Sequence, residues 1–227
     1  MDTAEGQNIA RRRVLTGGAV AATAWVTPTV IRLDRVAAAV PSRPYQTWYE
    51  ENFQAGIGNP DAVWSTTQTE AAPADPNRVF LGRFGNQTIS LTLQNLPAHD
   101  FLCIEFDLYI IESWDGGHPK WGNDRFGVRL DGAQVMLDSF GHWRFGTRAD
   151  GANFDQTYGP NALNQAGTGT SERNTLGYDK WGNQVHPISL CNLEHTASSA
   201  TVEFFGLGLQ SLNDESWGMD NLTIRYA

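Results

Sequence analysis

The sequence predicts an all-β protein, a single antiparallel β-sandwich of jelly-roll type with a long Gly/Asn-rich loop region. Three observations carry this. Apolar residues recur at every second position in several segments, which is the period of a half-buried strand. No stretch keeps a helical period over three turns, and 23 glycines and 10 prolines are spread along the chain. Turn residues separate the apolar runs at intervals that suit a sandwich.

Taken in order, the first clear element lies in FGNQTISLTLQNLP, where Ile89, Leu91 and Leu93 alternate with Ser90, Thr92 and Gln94 before a turn at Asn95 to Pro97. The next run, FLCIEFDLYII, puts Leu102, Ile104, Phe106, Leu108 and Ile110 on one face and Cys103, Glu105, Asp107, Tyr109 and Ile111 on the other. Its length and apolar content predict a central strand. Phe126, Val128 and Leu130 then alternate with Arg125, Gly127 and Arg129, and Asp131-Gly132 is a hairpin signal ahead of Val135, Met136 and Leu137. Residues 145–184 show no sustained apolar period and predict a long loop region with short pieces of structure. Strand signals return at Val185 to Leu193, Thr201 to Leu209 and Asn221 to Tyr226. No linker or repeat divides residues 40–227, which predict one domain.

The first 39 residues read as an export leader. Arg11, Arg12 and Arg13 precede a run of small and apolar residues from Val14 to Ile31, and Ala37, Ala38 and Ala39 supply the small residues a signal peptidase needs. The text ARRRVLT resembles the twin-arginine export signal, with Arg11 and Arg12 in the arginine positions. That resemblance implies export of an already folded chain to the periplasm or cell surface. Thr23, Thr27, Pro28 and Thr29 interrupt the run, which falls short of the ~20 apolar residues of a membrane span.

Removing residues 1–39 takes away five of 16 basic and three of 25 acidic residues, leaving a formal net charge of about −11. An acidic chain without basic clusters argues against nucleic acid or anionic membrane as partner. Excess carboxylates suit cations, though an acidic surface also simply keeps a protein in solution. The two cysteines, Cys103 and Cys191, sit in separate predicted strands. In an oxidising compartment they form a disulfide if those strands are neighbours, and otherwise remain two buried thiols.

Seven tryptophans follow the leader, several of them in polar, glycine-containing settings. Trp121 in KWGND, Trp143 in HWRFG and Trp181 in DKWGN, together with Asp124, form a candidate ligand-binding set. A pyranose ring stacks on an aromatic face while its hydroxyls bond to carboxylates and amides. Trp114 and Trp217 lie next to strands and are expected in the core. Carboxylates gather at the same places, and Asp115, Asp214 and Glu215 are candidate calcium ligands, since calcium takes six to eight oxygens from acidic, irregular loops. None of these stretches has the EF-hand spacing.

Signs of catalysis are sparse. The sequence has neither a G-x-S-x-G elbow nor an H-E-x-x-H motif, and its five histidines show no metal-like spacing. Glu105 and Asp107 share a strand face, as the carboxylates of some jelly-roll glycosidases do, but Ile110 stands where a third carboxylate would follow.

Four segments together, FLGRFGNQTISLTLQNLPAHDF, FDLYIIESWDG, NTLGY at 174–178 and GLGLQSLNDESWGMDNLTI, resemble exported bacterial jelly-roll modules of the concanavalin A-like lectin or galactose-binding-like type. The resemblance covers most of residues 48–226. It implies a structural calcium between the first and last strands, held by a Glu and an Asp that map onto Glu51 and Asp220. The stretch HWRFGTRADGANFDQTYGPN and the two cysteines depart from that pattern. The expected function is a non-catalytic, calcium-stabilised binding module for carbohydrate or another envelope polymer. The rival readings are a structural or protein-interaction domain of the envelope and, behind both, a glycan-active hydrolase.

Overall fold

The computed structural model describes residues 41–145 and 154–227. The expected leader at residues 1–39 lies outside them. The chain runs through β1 (Gln46–Glu51), β2 (Ala62–Trp64), β3 (Thr69–Ala72), β4 (Asp75–Phe84), β5 (Thr88–Leu93) and β6 (Phe101–Glu112). It continues through β7 (Arg125–Leu130), β8 (Ala133–Ser139), β9 (Glu172–Arg173), β10 (Asn183–Glu194), β11 (Ala200–Leu207) and β12 (Glu215–Tyr226). No helix occurs among the described residues, so none there is long and apolar enough to cross a membrane.

Two antiparallel sheets face each other. One has the order β3-β4-β12-β6-β10-β9, with β1 also paired to β12, and the other the order β2-β5-β11-β7-β8. From β4 onward the chain changes sheet at most connections, as a jelly roll requires. β6 is central, pairing with β10 on one side and β12 on the other.

Alternation explains which residues enter the core. Ile89, Leu91 and Leu93 of β5 and Leu102, Ile104, Phe106, Leu108 and Ile110 of β6 are all buried between the sheets. Phe106 meets Phe204 edge-on at 5.3 Å, and Phe126 meets Trp217 edge-on at 5.1 Å. Each such side chain contributes about 1.5–3 kcal/mol by leaving water. Trp114 and Trp217 are fully buried, in agreement with the expectation from their neighbours.

β6 is apolar on its second face as well, and the structure shows why. Tyr109 and Ile111 there pack with Ala72, Phe80, Leu176 and Val185 in a smaller cluster outside the first core. Glu105 and Asp107 occupy the remaining part of that face, where Glu105 meets Arg225 and Asp107 accepts from Asn221.

The Asp131-Gly132 hairpin forms as expected, with φ of 50° and 79° at its two turn residues. Sequence reading assigns no strand before residue 88, whereas β1 to β4 lie there; β1 to β3 are short and β4 begins in polar residues. It also starts β12 six residues late. Gly218 looks like a loop residue but is needed inside the strand, because a Cβ there would come 2.5 Å from the Phe80 ring.

Cys103 on β6 and Cys191 on β10 are joined as a disulfide across these neighbouring strands, with Cα atoms 3.9 Å apart.

Candidate functional site

The site lies where β6 leaves its sheet, between the β6–β7 loop, the β11–β12 loop and residues 180–181. Glu112 closes β6 in a left-handed conformation at φ 68°, and its carboxylate accepts the Trp181 N–H at 2.7 Å. Ser113 donates to Asp214 Oδ1 at 2.9 Å, and Lys180 reaches the same oxygen at 2.7 Å. These bonds tie three separate stretches of chain into one wall.

Behind that wall Asp115, Asp124 and Glu215 converge. Each offers one carboxylate oxygen to a group whose members lie within 4.8 Å of one another. All three are buried, Asp124 and Glu215 completely. The Asp115 N–H donates to Asp124 Oδ2, and the Gln210 N–H donates to Glu215 Oε2 at 2.6 Å. Asp124 Oδ1 and Glu215 Oε1 are buried without a hydrogen-bond partner.

Burial disfavours the charged form of each acid and neighbouring carboxylates add to this, while a hydrogen bond with Glu215 offsets part of the rise at Asp115 and Asp124. Burial, then the Asp214 charge, pushes the Asp115 carboxyl up to about 6. Asp124 and Glu215 are both raised, first by burial, with further contributions from neighbouring carboxylates. Asp214 differs: its bond to Lys180 holds it below the usual carboxylate range. Three buried carboxylates carry full charge only beside a compensating cation, and oxygen donors alone suit a hard one such as calcium.

An aromatic cleft of about 240 Å³ opens in front of the acids, with Asp115, Asp214 and Lys180 in its polar lining. Trp121 stacks on His118 at 4.4 Å, and His118 stacks on Phe154 at 4.7 Å. Phe145 lies 4.9 Å from Phe154 and meets Trp181 edge-on at 5.0 Å. Trp121 is 36% exposed, an unusual state for so large an apolar ring.

The structure therefore brings Trp121 and Trp181 together and leaves Trp143 elsewhere. Trp143 carries the Arg144 and Arg173 guanidinium groups over its ring at 5.2 and 5.1 Å and does not line the cleft. Asp124, a candidate ligand contact from the sequence, is wholly buried and groups with Asp115 and Glu215. Asp214 lies at the cleft wall outside the three-donor group. Glu51 spends its oxygens on the Phe53 N–H and the Tyr49 hydroxyl, and Asp220 accepts from Tyr109 and the Asn221 N–H. Neither belongs to a group of three donors among the described residues. Phe145, Phe154, Lys180 and Gln210 also line the cleft, and none of them is a candidate from the sequence.

No family model and no curated protein matches this chain. Among solved structures it is similar to the CBM36-1 domain of a multidomain xylanase from the hindgut metagenome of Trinervitermes trinervoides, at 11% identity and a TM-score of 0.38, over 79% of this chain and 97% of that one. A mannan-recognising carbohydrate-binding module, TmCBM27, aligns at 14% identity and a TM-score of 0.39, over 82% and 99%. Dimeric latent PorU from Porphyromonas gingivalis aligns at 10% identity and a TM-score of 0.37, over 80% of this chain and 13% of that one. Likeness at this level assigns no ligand to the present chain.

Proposed function

We propose that this chain is an exported, non-catalytic binding module that holds carbohydrate, or another envelope polymer, in the cleft between Trp121 and Trp181, with calcium as its cofactor. The observation that carries the reading is that two loop tryptophans line one cleft together with polar side chains. Ser113, Lys180, Gln210 and Asp214 stand beside them, so one small pocket offers both stacking faces and hydrogen-bonding groups. The leader-like residues 1–39 and the acidic chain from Val40 suit a protein exported to the periplasm or cell surface.

A binding role fits better than hydrolysis. Asp124 and Glu215 are fully buried, so neither reaches a glycosidic oxygen. The buried donor group gives calcium its support, with Asp115, Asp124 and Glu215 as ligands. Its oxygens are of the type calcium takes.

Affinity electrophoresis and tryptophan fluorescence against a panel of polysaccharides in calcium-containing buffer test the reading. At least one polysaccharide is expected to retard the full chain. Trp121→Ala and Trp181→Ala should each weaken that binding by about tenfold or more, since each removes the burial of a large ring. Trp143→Ala should leave it unchanged. No response across the panel favours a structural or protein-interaction role instead.

A further inference from the structure

The two oxygens without partners point beyond a cation that merely stiffens the fold. Asp124 Oδ1 and Glu215 Oε1 sit in wholly buried residues whose other carboxylate oxygens already accept backbone N–H groups. A buried acceptor left unpaired is costly, and a cation removes that cost for both at once. Space near Asp124 is kept by Gly122, where a Cβ would fall 2.8 Å from Oδ1.

The donors also come from two of the stretches that build the cleft, the β6–β7 and β11–β12 loops. Asp115 and Asp124 bracket the segment that carries Trp121. Glu215 closes the β11–β12 loop, and Gln210 in that loop donates its backbone N–H to Glu215 and its side-chain N–H to the Trp121 carbonyl at 2.7 Å. Asp115 belongs to the donor group and to the cleft lining alike. A cation drawing these three oxygens together fixes both loops at once.

We propose that a calcium ion held by Asp115, Asp124 and Glu215 assembles the aromatic cleft, so that ligand binding there is gated by calcium. This rests on the cleft being the ligand site. By linkage, ligand and calcium then tighten each other's binding by the same factor.

Hydrogen exchange on the full chain, stripped with EGTA and then titrated with calcium chloride alone, tests the assembly without any polysaccharide. Exchange across residues 113–124 and 207–215 should slow on adding calcium, and magnesium should do so only at much higher concentration. Asp124→Asn should weaken calcium binding, measured by calorimetry, by at least about tenfold and abolish the protection. Asp115→Asn, at the edge of the group, provides the same test should the first variant not fold. The proposal is overturned if calcium does not bind, or if it binds and protects other segments while these two loops exchange as before. With a polysaccharide that binds, equal affinity in calcium and in EGTA also overturns it. If the loops are protected but no polysaccharide binds, the calcium-driven assembly of the loops stands and the carbohydrate reading falls.

Discussion

Gln156 and Glu215 are both completely buried polar side chains beneath loops, and their hydrogen bonding is opposite. Gln156 Oε1 accepts from Gly141 at 3.2 Å and Gly167 at 3.0 Å, while Nε2 donates to the carbonyls of Tyr158 at 2.9 Å and Thr168 at 3.0 Å. Two lone pairs and two N–H groups are the full capacity of an amide. Glu215 accepts from Gln210, leaves Oε1 unpartnered, and faces two more buried acids. The Gln156 side chain is fully matched by the chain itself. Glu215 keeps one oxygen without a partner, and its group of acids lies beside the aromatic cleft.

The largest test treats the two regions alike. β6 leads into the acidic loop and β10 follows the Gln156 loop, and the Cys103–Cys191 bridge joins these strands across a sequence separation of 88. In the chain-entropy model, closing a loop of that size stabilises by about 4.6 kcal/mol. Reduction, or Cys103→Ala with Cys191→Ala, should lower the free energy of unfolding by about that amount in calcium and in EGTA equally. A loss seen only in EGTA would tie the bridge to the acidic side alone.

Gln156→Ala should separate the regions. It removes a hydrogen bond from each of four backbone groups, of which the Gly167 N–H keeps the Gly141 carbonyl, and should cost about 3 kcal/mol in urea denaturation, with no rescue by calcium. A calcium-dependent cost would mean that the Gln156 loop and the acidic loops respond as one unit.

The smallest effect is on the pH profile, where the regions should fail at opposite ends. His142 and His186 lie beside the Gln156 loop, and burial, with the charge of Arg173 and for His142 also Arg144, pushes both down to about 3. Their folded values lie below the ordinary histidine value of about 6.5, so the stability linked to them is complete above that pH and is lost as pH falls toward 3. The acids have folded values above the ordinary carboxylate range. Their linked stability is complete below about pH 4 and is lost as pH rises through about 6 for Asp115 and higher for Asp124 and Glu215. Melting temperatures in EGTA should therefore fall on the alkaline side, and calcium should flatten that limb alone. An alkaline limb unchanged by calcium would show that no cation enters the acidic group.

The sequence by itself determined the strands that alternate strictly, from Ile89 to Leu93 and from Leu102 to Ile110, because the two-residue period is imposed by the local backbone. It also determined the Asp131-Gly132 turn, whose positive φ values favour those residue types. It identified Trp121, Trp181, Asp115, Asp124 and Glu215 as chemically suited to a site, one residue at a time. Tertiary structure decided their grouping: Asp124 lies buried with Asp115 and Glu215, Trp143 stands away from the cleft, and Phe154 and Lys180 line it. It also brought Cys103 and Cys191 together. The physical reason is that strand order, set by burial across two sheets, determines which loops share an end of the sandwich. No local period in the sequence records that order.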